Sequence, residues 1–275
     1  MPKLSATLLL CANLFAATDA EVLAFLKKGI GSNPNVSNVK MDINGKKTVP
    51  GMSGWQAYFI SIDADVKQGN DNRHITQNGT YFVSGDTLAT ELVNLKTGER
   101  YNDTIALDFP SQFYTKNNLI SGSANAKHKV AIFSDPLCPF CRRYVPETLA
   151  YMAKYPAVFA VYYYHFPLPS LHPAAVALTK AAIAAEQSGM ENVIMRLYAV
   201  EINPNERDER KILEVFNRTF KTQLTVADIR RPAVLKQYEL DQRAAQLAMV
   251  AGTPSVFLDG KKDSSKNKYK EIKVK

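Results

Sequence analysis

Two cysteines two residues apart, Cys138-Pro139-Phe140-Cys141, follow the β-prone run Lys129-Val-Ala-Ile-Phe-Ser134 and open a predicted helix. This corner constrains the fold more than any other feature, because a strand must hand the chain to a helix with both thiols at the junction. The 275 residues include three cysteines, and the third, Cys11, lies in an N-terminal apolar stretch that reads as cleavable. The mature chain then owns one pair with no other partner. So short a loop does little to constrain an unfolded chain, but it suits thiol–disulfide exchange. With Pro139 in the first turn, its missing N–H costs nothing. Cys138 then lies at the helix N-terminus, where free N–H groups and the helix dipole favour an anion. That lowers a thiol's pKa, and the thiolate is the reacting species. Cys141, about one turn deeper, is placed to resolve a mixed disulfide. Stabilising the reduced form makes the disulfide more oxidising. Arg142 and Arg143 add positive potential if they face the thiolate; solvated side chains are the plainer reading.

Other uses of the pair fit less well. Haem attachment requires C-x-x-C-H, and residue 142 is Arg. Structural zinc requires four ligands. No second C-x-x-C exists, and the gap between His165 and His172 exceeds the usual spacing. Two inert buried cysteines are the remaining alternative. No metal, flavin or nucleotide cofactor is expected, and the redox-active group is the Cys138–Cys141 disulfide itself.

Lys3 precedes an apolar segment, Leu4 to Ala17, and Thr18-Asp19-Ala20 ends in small residues. Residues 1–20 read as a secretory signal peptide with cleavage near Ala17 or Ala20; an uncleaved anchor is the alternative. Leu10 before Cys11 argues against a lipoprotein. An oxidising compartment follows, the periplasm in a bacterium. The formal charge is +8, but the segment from Lys261 to Lys275 holds seven Lys against Asp263 and Glu271. That reads as a solvated basic tail, and a membrane surface is its alternative partner. Nucleic acid is not expected, since the basic residues are not interleaved with stacking aromatics.

The pattern divides near residues 105–127. Residues 21–105 begin with a helical stretch, Glu21 to Lys27, and continue as strands. Gly54 to Asp63 alternates and is aromatic-rich, Gln77-Asn-Gly-Thr80 reads as a turn, Tyr81 to Ser84 as the next strand, and Leu88 to Leu95 as further alternation. No catalytic constellation is visible there, so this small α+β module reads as a packing or dimerisation domain. Residues 106–126 read as a linker, with a short helix capped by Asp108 and a flexible stretch from Ser121 to Ala126. Residues 127–275 read as strand, C-x-x-C helix, strand, helices, strand. Ala157 to His165 suits a buried parallel strand. Helices are expected over 174–186, 191–200, 207–220 and 232–250, with a capping box at Thr225-x-x-Asp228. Ser255 to Asp259 closes the order as a strand. A βαβ opening with C-x-x-C at its crossover is the thioredoxin-like arrangement, here with a helical insertion at about 172–250.

Gly252-Thr253-Pro254 followed by an apolar strand, well over a hundred residues after the cysteines, resembles the cis-proline loop of Dsb-type thiol:disulfide interchange proteins. The resemblance is mixed. Phe133-Ser-Asp-Pro-Leu-Cys138, Thr253 and Tyr81-Phe-Val-Ser-Gly85 look like DsbC and DsbG, dimeric isomerases with a cystatin-like N-terminal domain. His165-Phe-Pro-Leu-Pro169 and the long helical insertion look like DsbA, a monomeric oxidase. The resemblance implies an α/β thioredoxin-like catalytic domain preceded by a small cystatin-like dimerisation domain. It implies catalytic Cys138 and Cys141, with Pro139, Phe140, Thr253 and Pro254 tuning the potential and binding substrate. It further implies partly folded secreted protein substrates, a membrane redox partner of the DsbB or DsbD type, and a homodimer. The direction stays open: oxidation of substrates is the favoured reading, isomerisation or reduction the alternative, and a redox-inert periplasmic chaperone the rival from another class. Asp135, His165 and Tyr162 to Tyr164 take structural readings, as a strand-end turn residue, a buried histidine and core packing.

Overall fold

The computed structural model describes residues 17–69 and 71–274. Residues 1–16 of the expected signal peptide, Cys11 among them, lie outside the described residues. The chain forms two compact units that divide between Ile105 and Ala106.

The first unit is one helix on an antiparallel sheet. Helix α1 (Asp19–Gly31) opens with a capping box: Thr18 Oγ1 accepts from Glu21 N at 3.3 Å and Glu21 Oε2 accepts from Thr18 N at 2.7 Å. Strands β1 (Val36–Thr48), β2 (Gln56–Gln68), β3 (Asp71–Ser84) and β4 (Thr87–Ala89) pair in sequence order. Tyr58, Ile60 and Ile62 alternate on β2 and pack with Val22 and Leu26 of α1, as a period of two requires. Helix α2 (Tyr101–Thr104) ends the unit.

Two expectations fail here, and one strand has no counterpart among them. β1, rich in Lys, Asn and Asp, carries no strong apolar alternation and was not anticipated. Gln77-Asn-Gly-Thr80 is not a turn but the middle of β3, since β2 and β3 pair without a break from Gln56↔Val83 to Gln68↔Asp71. Gly79 has a packing reason to lie in a strand: a Cβ there would fall 2.7 Å from the Tyr81 ring, which covers it. The alternation from Leu88 yields only the three residues of β4, and Leu95 is 97% exposed.

The second unit is a mixed sheet in the order β5-β7-β6-β8-β9. Its strands are β5 (Leu119–Ser121), β6 (His128–Ser134), β7 (Phe159–His165), β8 (Ser255–Leu258) and β9 (Lys261–Lys262). β6 and β7 are parallel, and β8 runs antiparallel to β6. Helix α3 (Pro139–Met152) joins β6 to β7. Between β7 and β8 lie α4 (Ala174–Gln187), α5 (Val193–Leu197), α6 (Glu209–Phe220), α7 (Val226–Ile229) and α8 (Pro232–Leu247). This is a thioredoxin-like α/β fold with a helical insertion. One sheet face, Val130, Ile132, Phe159, Val161 and Tyr163, packs with Val145, Leu149 and Met152 of α3. The other, Ala131, Phe133, Tyr162, Tyr164 and Phe257, meets Ala244 and Ala245 of α8.

Residues 106–126 are built into this unit rather than strung as a linker. Phe109 is buried edge-on to Phe133 and Tyr164. A short 3-10 turn over Ser111–Phe113 is led by Pro110 instead of Asp108. Gly122, at φ +78°, lets β5 pass so close to β7 that a Cβ would lie 1.8 Å from the Phe159 carbonyl oxygen. The basic tail is also packed. Asp263 accepts from Ser265 N and Lys268 N and is buried. Tyr269, 2% exposed, lies against Tyr151, and its hydroxyl is 3.2 Å from Thr148 Oγ1 on α3. Its aromatic and aliphatic residues, hidden among lysines, decide this.

Candidate active site

β6 ends at Ser134, and Asp135-Pro136-Leu137 turns the chain into α3. The turn is fixed from inside. Asp135 is fully buried; its Oδ1 accepts from Leu137 N at 2.7 Å, and its Oδ2 accepts from Leu168 N at 2.8 Å. Oδ2 also pairs with His172 Nδ1 at 3.0 Å. A buried carboxylate requires such partners. Asp135 is thus the turn residue expected, and it also ties the loop after β7 to the cysteine corner.

Cys138 is the N-cap of α3, with φ −67° and ψ 123°, and Pro139 occupies the first turn. The Cys138 N–H donates to Asp135 O at 3.2 Å, and Arg142 N donates to Cys138 O at 3.0 Å, starting the helix. Cys138 is 5% exposed, and its sulfur donates to Thr253 O at 3.5 Å. The Thr253–Pro254 peptide is cis, so the loop before β8 turns a backbone carbonyl to the sulfur. Phe140, between the cysteines, is 63% exposed with Arg143 over its ring at 5.5 Å. Arg142 does not point at the thiol in the way the sequence allowed, because its guanidinium donates to Val200 O.

Cys141 lies one turn deeper and is fully buried. Both thiols are unbonded. Burial pushes the Cys141 thiol up to about 12, against the Ser134 and Thr253 hydroxyls and the Asp135 backbone, which favour its thiolate. Ser134 belongs to a chain of hydroxyls: Ser134 Oγ is 2.6 Å from Tyr198 OH, which is 2.7 Å from Tyr163 OH.

The structure thus brings together Cys138, Pro139, Cys141, Thr253 and Pro254, with Phe140 at the rim. It does not unite the two histidines considered as zinc ligands. His172 faces Asp135, while His165 is buried with Nε2 3.4 Å from Glu186 Oε2. Among the described residues no group of three or more His, Cys, Asp or Glu could hold a metal. The sequence reading missed Ser134 and Tyr198. Ser134 looked like the polar end of a strand, and Tyr198 lies in the insertion with no local signal linking it to the cysteines.

Among curated proteins none matches. Among solved structures, the chain is similar to a thioredoxin-like oxidoreductase from Silicibacter pomeroyi DSS-3, at 21% identity over 58% of this chain and 96% of that one, with a TM-score of 0.44. It is similar to oxidised BdbD from Bacillus subtilis, at 13% identity over 62% and 96%, with a TM-score of 0.47. It is also similar to ScsC from Proteus mirabilis in a compact conformation, at 19% identity over 56% and 74%, with a TM-score of 0.43. The thioredoxin family pattern matches residues 114–274, more than half of the chain and the whole of the cysteine corner with its cis-proline loop. By that match the chain belongs to the thioredoxin family.

Proposed function

We propose that this chain is a thiol:disulfide oxidoreductase acting on protein substrates, with oxidation as its net direction. One observation carries the reading: Cys138 holds the N-cap position of a helix and its sulfur faces Thr253 O of the cis-proline loop, with Cys141 buried one turn behind. A substrate thiolate attacks the Cys138 sulfur of the Cys138–Cys141 disulfide, and Cys141 departs as the thiolate. A second substrate thiol then attacks the substrate sulfur of the mixed disulfide. It releases Cys138, leaving the substrate oxidised and both enzyme cysteines reduced. A thiolate at a helix N-terminus is favoured by the unpaired N–H groups there, and a stabilised reduced form makes a stronger oxidant. Phe140 offers an apolar contact to substrate beside the reacting sulfur.

Isomerisation is the second reading, favoured by Thr253 before the cis proline and by the separate N-terminal unit. Here reduced Cys138 attacks a wrongly paired substrate disulfide. In the same proposal the N-terminal unit forms a homodimer; β1, paired only with β2 in the sheet order, supplies an open edge. The setting is periplasmic, and a membrane partner of the DsbB or DsbD type resets the cysteines. No helix of the described residues is long and apolar enough to cross a membrane.

The test is oxidation of a reduced dithiol peptide, followed by mass spectrometry. The wild-type disulfide form should transfer its disulfide, and Cys138→Ser should transfer none. No transfer by the wild-type disulfide form would end this reading in favour of a redox-inert binding role, and transfer by Cys138→Ser would remove Cys138 as the reacting thiol. Alkylation trapping in intact cells separates the directions: a mostly oxidised pair fits an oxidase, a mostly reduced one an isomerase.

A further inference from the structure

Opening the Cys138–Cys141 disulfide makes Cys141 a leaving thiolate, and closing it again makes Cys141 an attacking one. Its sulfur is nonetheless fully buried, in the same packed cluster as Tyr163 and Tyr198, and an anion there is costly unless donors meet it. The second unit supplies donors from three separate places. Ser134 and Tyr163 lie on adjacent parallel strands, with Ser134 opposite His165 and Ile132 opposite Tyr163. Tyr163 belongs to the sheet face that α3 covers. Tyr198 follows α5, inside the helical insertion, and reaches back to join them. Its hydroxyl is 2.6 Å from Ser134 Oγ and 2.7 Å from Tyr163 OH.

Two further observations show a built site rather than chance packing. Arg142, next to Cys141, donates to Val200 O and so pins the segment carrying Tyr198 to the catalytic helix. Thr253 Oγ1 is buried with no conventional hydrogen-bond partner, and it favours the Cys141 thiolate. An orphaned hydroxyl in a native site calls for an explanation, and a sulfur that becomes an anion during the reaction gives one. Both phenols are held above their ordinary value, first by burial. They therefore stay protonated and remain able to donate.

We propose that Tyr163, Tyr198 and Ser134 form a hydroxyl chain that donates toward the Cys141 sulfur when it becomes a thiolate, with Tyr198 as the positioning residue that links the insertion to the reaction. The inference rests on the oxidoreductase reading but not on its direction. When a mixed disulfide of Cys138 resolves, Cys141 loses its proton and its thiolate attacks the Cys138 sulfur. The bond between Cys138 and the substrate sulfur breaks, and the departing substrate thiolate takes up a proton. One disulfide is consumed, one is formed, and no outside oxidant is needed. In the reverse direction Cys141 is the leaving group, and the same chain receives its charge. Each hydroxyl that turns toward the sulfur polarises the one behind it, so the terminal Tyr163 contributes although it is two bonds away.

The probe is oxidised glutathione. Reduced protein is mixed with it, acid-quenched, and followed by mass spectrometry through the glutathione adduct on Cys138 to the internal disulfide. In Tyr198→Phe, which keeps the ring, adduct formation should match wild type. Resolution should slow about tenfold, the scale of losing a hydrogen bond to a charged group. The pH at which resolution reaches half its maximum should rise. Ser134→Ala, which removes only the last hydroxyl, should reproduce this result and decides the matter if Tyr198→Phe does not fold. Tyr163→Phe should have a smaller effect. Unchanged resolution in both Tyr198→Phe and Ser134→Ala overturns the hydroxyl chain and leaves the oxidoreductase reading intact. Equal slowing of adduct formation and resolution also overturns it, as the mark of a structural defect. A wild type that forms no adduct on Cys138 removes both readings together.

Discussion

The two units bury their residues in different ways. The N-terminal one is a long ladder with a thin core: β2 and β3 pair along their whole length, while most of β1 and the first half of β3 remain at least partly exposed. Of the nine buried polar residues found among the described residues, it holds only Ser61. The other eight, including Asn118, Ser134, Asp135, His165 and Asp241, are in the C-terminal unit. Buried polar groups are costly unless satisfied. Their concentration around one sheet therefore separates a unit whose stability is mostly apolar and backbone in origin from one that also holds reacting atoms in place.

The largest effect expected from this contrast is at Asp135. Asp135→Ala leaves Leu137 N, Leu168 N and His172 Nδ1 without their acceptor in the interior. The C-terminal unit should lose about 4 kcal/mol, as when one partner of a buried pair is removed. Disulfide transfer should fall with it, because the same residue shapes the cysteine corner. Urea unfolding and the dithiol-peptide assay measure the two losses. Near-normal values for both would show that the buried polar groups are incidental.

Phe59→Ala is the counterpart in the other unit. Phe59 is 1% exposed on β2, and a buried Phe→Ala change costs about 3 kcal/mol or more. The cost should appear in the unfolding of the N-terminal unit, while the rate of glutathione adduct formation at Cys138 stays unchanged. A drop in that rate would mean the two units are not independent in the way their cores suggest.

The same contrast explains what could be read from the sequence. The cysteine corner, its helix, the flanking strands and the Thr253–Pro254 loop were legible because each has a local signature: a motif, a β-branched run, a Gly-Thr-Pro break. The capping box at Thr225 was legible for the same reason. What escaped was non-local. Ser134 and Tyr198 meet across 64 residues, and Asp135 and His172 across 37; nothing in either neighbourhood announces the pairing. β1 escaped because an edge strand with a solvated face can be polar, and its place in the sheet comes from β2 rather than from its own composition. Tyr269 was hidden by lysines that surround a buried ring.

Titration should separate the units next, by a smaller margin. Asp241 is buried on α8 and accepts from Asn118 Nδ2, Gln237 Nε2 and His165 N. Burial still pushes its carboxyl up to about 6. For His165, burial opposes the charge, but the Glu186 carboxylate prevails and the ring is raised above its ordinary value. Folding raises both groups, so the stability each contributes is full below its unfolded pKa and is lost as pH rises through the folded one. The C-terminal unit should therefore be less stable at pH 8 than at pH 5, by about 1 to 2 kcal/mol. The carboxyls held low by hydrogen bonds, Glu21 and Asp228 among them, act at more acidic pH. Greater stability at pH 8, read from urea midpoints, would contradict the assignment.

The smallest expected effect uses a device that both units share. Thr18 with Glu21 and Thr225 with Asp228 form the same capping box, on α1 and α7 respectively. Replacing a capping Thr by Ala costs about 1 kcal/mol, but the two settings should express it differently. α1 buries only Val22 and Leu26 of its thirteen residues, so the thin core leaves its first turn dependent on the cap. In Thr18→Ala, amide exchange over Ala20 to Val22 should quicken while the rest of the ladder keeps its protection. α7 is a single turn whose Ile229 is fully buried among residues of α4 and α6, a contact that holds its shape with or without the cap. In Thr225→Ala the loss should be spread over the cooperative unfolding of the C-terminal unit, with no local fraying. Hydrogen exchange resolved by peptide distinguishes the two cases. Fraying at α7 equal to that at α1 would mean that the dense core gives the insertion no more local protection than the thin core gives the N-terminal helix.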